Sequence, residues 1–153
     1  MTQRSARHGS FTLDRKLDAP PSRVFHAFAD PAAKARWFGG PPGKWKQIVR
    51  EADFRVGGQE RVSGLWEGGV TSAFDCRYHD IVPDQRIVYA YSMHVNDALI
   101  SVSLATIEFE PAGKGTRLKL TEQGVFLDAF DDKGSREHGT RGLLDRLEES
   151  LRD

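Results

Sequence analysis

Asp53-Phe54-Arg55-Val56-Gly57-Gly58 runs from one alternating segment into another, because Gln59 to Leu65 alternates immediately after the paired glycines. Two adjacent glycines permit positive φ, and therefore a tight reversal between antiparallel strands. Upstream, Val24, Phe25 and Phe28 recur with helical spacing and are followed by Trp37 and Phe38. Downstream lie Thr71 to Val82, Arg86 to Met93, Leu99 to Glu110 and Thr116 to Glu122, which read as strands. Gly68-Gly69, Pro83-Asp84, Asn96-Asp97 and Gly113-Lys114-Gly115 separate these strands, and turns this short imply antiparallel neighbours.

The same reading extends to both ends. Residues 1–9 read as a flexible tail before a single domain over residues 10–153, which opens with strand Ser10 to Leu17. Ala19-Pro20-Pro21-Ser22 breaks that strand and offers Ser22 as the N-cap of a short helix. Asp30 caps a second short helix, with Pro31 at its first position. Gly39-Gly40-Pro41-Pro42-Gly43 is a loop by composition, and Lys44 to Phe54 is the strand entering the reversal. Ser135 to Arg152 places Leu143, Leu144, Leu147 and Leu151 on one face of a closing amphipathic helix. The expected fold class is α+β, a curved antiparallel sheet burying one face against that helix.

Composition narrows function by exclusion. The chain of 153 residues carries 22 basic and 22 acidic side chains, so no general attraction to nucleic acid is expected. No apolar run approaches the ~20 residues of a membrane helix, so no membrane insertion is expected. The single cysteine, Cys76, cannot form an intramolecular disulfide, and the polar start has no signal-peptide core. A reducing, cytoplasmic home is the expectation.

Catalytic and cofactor patterns fail on spacing. The position six before Lys44 is Phe38 and Trp45 follows it, so there is no phosphate loop. Gly113 and Gly115 lack the third glycine of a dinucleotide fingerprint, because Leu118 stands there. Cys76 and His79 are three apart on a strand, which puts them on opposite faces, and no metal or other cofactor is expected. No serine has a nucleophile-elbow setting, and Cys76 reads as a small core residue. Asp75, Arg77 and His79 share a strand face that reads as the wet side of the sheet, with a polar pocket cluster as the alternative. Tyr78, Tyr89, Tyr91 and Met93 read as core, with cavity lining as the alternative.

Ala19-Pro20-Pro21-Ser22-Arg23-Val24-Phe25, Asp30-Pro31, Trp37, Asp53 to Gly58, Ile81 to Val88 and Gly115-Thr116-Arg117-Leu118, taken in order, resemble the START-like (SRPBCC) helix-grip superfamily. Within it they resemble the domain family named for the activator of the Hsp90 ATPase. The match spans about Phe11 to Leu151 and departs at Gly139-Thr140, where the family often has Gly-Trp. The resemblance implies a seven-stranded sheet around the C-terminal helix, with an internal apolar cavity that holds a small hydrophobic molecule in many relatives. Small Ser101, Ser103 and Ala105 on one strand face would leave room for it, near Tyr89, Tyr91 and Met93 by the same alternation. Trp37, Phe38, His94 and Leu144 complete the expected lining. Burying ~300 Å² of an apolar ligand would contribute roughly 7 kcal/mol before ordering costs.

Three functions follow as expectations. The first is noncatalytic binding of a small hydrophobic or aromatic ligand. The second is a chaperone cofactor, suggested by the family name. The third is a cyclase- or hydrolase-type enzyme using Asp75, His79 or a tyrosine, which requires those groups to face the cavity. A homodimer built on an exposed sheet edge is compatible with each.

Overall fold

The computed structural model describes residues 4–128, 130 and 134–152. Its elements are β1 (Ala6–Leu17), α1 (Pro21–Ala29), α2 (Pro31–Ala35), β2 (Trp45–Ala52), β3 (Gln59–Trp66), β4 (Thr71–Val82), β5 (Arg86–Val95), β6 (Ala98–Ala112), β7 (Gly115–Leu127) and α3 (Ser135–Ser150). All seven strands form one antiparallel sheet in the order β1-β7-β6-β5-β4-β3-β2. The order is a meander except for β1, which crosses back to pair with β7. This is the α+β helix-grip architecture expected from the sequence.

Several boundaries differ from the sequence reading: β7 runs past Glu122 to Leu127 and β2 ends at Ala52 rather than Phe54, and two further differences lie near the start of the chain. The segment taken as a tail is partly strand, because Ala6 to Gly9 pair with Leu127 to Gly124; residues 1–3 lie outside the described residues. Helix α1 starts at Pro21, capped by Pro20 rather than by Ser22. Proline supplies the helical φ at the first position, and the Pro20 carbonyl accepts from the amides of Arg23 and Val24 at 3.0 and 3.1 Å. The second cap is as expected: the Asp30 carboxylate accepts from the Ala33 amide at 2.9 Å.

The reversal that marks the fold is held by its own backbone. Asp53 N–H donates to Gln59 O at 2.9 Å and Gly58 N–H to Arg55 O at 2.8 Å, while Arg55 Nε reaches the Asp53 carboxylate at 2.8 Å. The two glycines do different work. Gly57 sits at φ 84°, and a Cβ on Gly58 would lie 2.1 Å from the Asp53 carbonyl oxygen. Backbone cannot yield as a flexible side chain does, so Gly58→Ala is expected to destabilise by about 1–3 kcal/mol. Gly57→Ala should cost about 1–2 kcal/mol, the left-handed penalty alone. Urea unfolding of the two variants checks the ranking, and an unaffected Gly58→Ala would contradict it.

The concave face carries Leu13, Leu17, Phe74, Cys76, Tyr78, Ile87, Tyr89, Tyr91, Ala105, Ile107, Phe109, Leu118 and Leu120, all buried. Leu144 and Leu147 of α3 are buried against this core, with Leu143 and Leu151 packed at its margin. Phe28 of α1 meets Trp37 and Phe109 edge to face, at centroid distances of 4.9 and 5.5 Å. The loop after α2 is pinned rather than loose. Arg50 Nη2 donates to Phe38 O at 2.5 Å, and Arg146 of α3 donates to the carbonyls of Trp37 and Gly39. Among the described residues, no helix is long and apolar enough to cross a membrane.

Candidate functional site

Strand register determines where the concave face is bare. One inward row runs Gly9, Gly124, Ser103, Tyr91, Cys76, Glu60 across β1, β7, β6, β5, β4 and β3. Its first three members have almost no side chain, whereas the neighbouring row carries Phe11 and Glu122, and the row on the other side carries Phe126. Close packing fails where large side chains are missing. A partly enclosed cavity of about 150 Å³ opens there, lined by Gly9, Ser10, Phe11, Ser103, Glu122, Gly124 and Phe126, with Gly134 and Glu137 from the N-terminal end of α3.

A hydrogen-bonded network adjoins the cavity. Tyr91 Oη donates to Glu122 Oε1 at 2.6 Å. Arg136, in the first turn of α3, donates from Nη1 to Tyr91 Oη at 2.9 Å and from Nη2 to Ser101 Oγ at 2.7 Å, with Ser103 Oγ at 3.5 Å. Its guanidinium stands 5.2 Å from the Phe126 ring centroid. Burial, reinforced by the Glu122 charge and opposed by Arg136, raises the Tyr91 pKa, so the phenol serves as a neutral donor. Glu122 is 5% exposed, and the network supplies the partners that a buried carboxylate requires.

A second buried cluster lies across the sheet. Lys34 of α2 donates to Glu60 Oε1 at 2.5 Å and to Tyr78 Oη at 3.2 Å, and Tyr78 Oη donates to the same Glu60 oxygen at 2.7 Å. The Lys34 ammonium also stands 4.4 Å from the Phe38 ring centroid. Cys76 lies in the same row as Glu60; burial pushes its thiol up to about 12, so at neutral pH it is no thiolate nucleophile.

The comparisons give this architecture its family. The model of the family described as activator of Hsp90 ATPase homolog 1-like protein matches residues 18–152. The chain belongs to this family. Among solved structures, an uncharacterized protein from Rhizobium leguminosarum is 44% identical, with 99% of each chain covered and a TM-score of 0.94. A protein from Rhizobium loti is 45% identical over 95% of this chain and 99% of its own, with a TM-score of 0.87. An AHSA1-like protein from Aeromonas hydrophila, 16% identical over 94% of this chain and 92% of its own, shares the fold at a TM-score of 0.71. No functionally curated protein matches the chain. The START-like domain of this family is, in general terms, a ligand-binding or cofactor-like scaffold.

Within this AHSA1-like domain the expected lining residues separate. Ser103 lines the cavity, and Tyr91 and Ser101 belong to the network beside it. Tyr89, Ala105, Leu144 and Trp37 are buried in packed core, where the Trp37 indole donates to Ala27 O at 3.0 Å. Phe38 packs edge to face on Phe74 at 4.9 Å, and Met93 is partly buried against the core. His94 is a correction: it pairs with Ala73 while its neighbour Met93 pairs with inward Phe74, so the pleat turns His94 to the outer face. Asp75 and His79 also lie on the outer face, Asp75 3.3 Å from Arg61 and His79 exposed. The enzyme reading built on those two groups therefore loses its geometry. Sequence reading missed Glu122, Phe126, Arg136, Gly9 and Gly124, although Glu122 shares the parity of Leu118 and Leu120 and was open to detection by alternation.

Proposed function

We propose that this domain binds a small hydrophobic or aromatic molecule, without converting it, in the cavity between β1, β6, β7 and the start of α3. The supporting observation is the Gly9–Gly124–Ser103 row, which leaves room for a ring between Phe11 and Phe126. A space near 150 Å³, walled by two phenyl rings and by glycines with polar side chains between them, is on the scale that holds benzene. Polar groups at one end set orientation, the usual division of labour in a small-molecule pocket.

Gly9 offers a clean test. A Cβ there would meet only the Phe126 ring edge, at 3.6 Å, an ordinary contact, so a larger side chain can occupy the cavity without straining the backbone. Gly9→Val is expected to keep the fold and weaken toluene or indole binding by about tenfold or more in ligand-observed NMR titrations. Wild-type protein that binds neither probe would sink the proposal. The family's description supports a second reading, a chaperone cofactor, for which stimulation of the Hsp90 ATPase by the purified domain is the direct assay.

A further inference from the structure

Resting on that binding reading, we infer that the cavity selects a single-ring molecule with a cationic or hydrogen-donating head and discriminates against a carboxylate. Among the described residues that line it, both charged side chains are carboxylates, Glu122 and Glu137, and the other polar side chains are the hydroxyls of Ser10 and Ser103. Glu122 is the buried one; Glu137 stands at the rim, where Arg141 Nη2 donates to it at 2.9 Å. The nearby cation, Arg136, is directed to Tyr91, Ser101 and Ser103, so an anionic ligand would compete with three protein acceptors for it.

The energetics have a sign. A carboxylate entering a partly dry space beside Glu122 suffers both desolvation and like-charge repulsion. An ammonium loses its water as well, yet meets an opposite charge and can rest against the phenyl ring of Phe11, the Phe126 ring being already faced by the Arg136 guanidinium. The same pocket thus accepts the apolar body in either case and sorts ligands by the head.

Benzylamine, toluene and benzoate share one ring and differ in that head, so they are the probes. Titration into the full chain is expected to show benzylamine binding about tenfold or more tightly than benzoate. Replacing Glu122 with glutamine keeps an acceptor for Tyr91 and removes the charge. E122Q should bring benzylamine close to toluene, read as the ratio of the two affinities measured on the same variant, whatever the change makes of both together. Benzoate binding as tight as benzylamine overturns the selectivity and leaves the cavity reading standing. A benzylamine-to-toluene ratio in E122Q that stays at the wild-type value does the same, because the Glu122 charge would then not be what sorts the heads. If all three probes fail to bind wild-type protein, the cavity reading falls first and takes this inference with it.

Discussion

Lys34→Met is expected to destabilise the protein by about 3–5 kcal/mol, and Glu60→Leu by a similar amount. Both side chains are almost wholly buried, at 5% and 1% exposure, and each is the other's counterion. Deleting either leaves a buried charge without its counterion. Deleting both is a different matter. The desolvation cost of the pair disappears together with its attraction, so Lys34→Met/Glu60→Leu should recover most of the single-variant loss. What remains is the Tyr78 hydroxyl, which donates to Glu60 at 2.7 Å and would be left unpaired at a cost of about 1–3 kcal/mol. Adding Tyr78→Phe should therefore bring stability closest to wild type. Urea unfolding of the singles, the double and the triple tests this order. Additive losses in the double variant would mean that the two charges do not depend on one another.

This cluster also shows why some of the structure was legible in the sequence and some was not. Strand existence comes from alternation, which survives wherever one face is buried, and β4 has the boundaries expected from it. Asp30-Pro31 was legible because capping and a first-turn proline are local chemistry. The cavity was hidden by the same rule that located the turns. Glycine reads as a strand end, which places Gly9 in a tail and ends strand seven at Glu122, before Gly124. In the fold both glycines lie inside long strands, paired with each other, and their missing side chains are what make the space. Ser101, Ser103 and Ala105 are small and inward as expected, but Ser101 is buried where Arg136 donates to it and Ala105 is buried in the core, which leaves only Ser103 on the lining. Lys34 and Arg136 were beyond sequence reasoning for another reason. Their helices give no sign of which sheet residues they reach, and a charged residue on a helix ordinarily faces water.

The chain has three tyrosines, Tyr78, Tyr89 and Tyr91, and all are buried on the concave face. A spectrophotometric titration should therefore show no phenolate absorbance near the ordinary tyrosine pKa of about 10, and then a steep rise that coincides with loss of native circular dichroism. Burial is the largest cause of the upward shift at each site. Glu60 adds to it at Tyr78, and Glu122 at Tyr89 and Tyr91. Folding thus holds each phenol protonated beyond the pH at which the unfolded chain would release the proton. The corresponding stability is fully present below about pH 10 and declines as pH rises above it, by about 1.4 kcal/mol per pH unit for each tyrosine. Cys76 behaves in the same sense from its ordinary range near 9 up to about 12. Against a total stability on the order of 5–15 kcal/mol, these groups together should unfold the protein within a few pH units of 10. Tyr91→Phe tests the attribution, because it removes one of the coupled protons. It should make the transition less steep in pH and reduce the phenolate amplitude by about one third. A gradual phenolate signal that develops while the circular dichroism stays native would show that the tyrosines reach water in the folded state, and would count against a sealed core between sheet and helix.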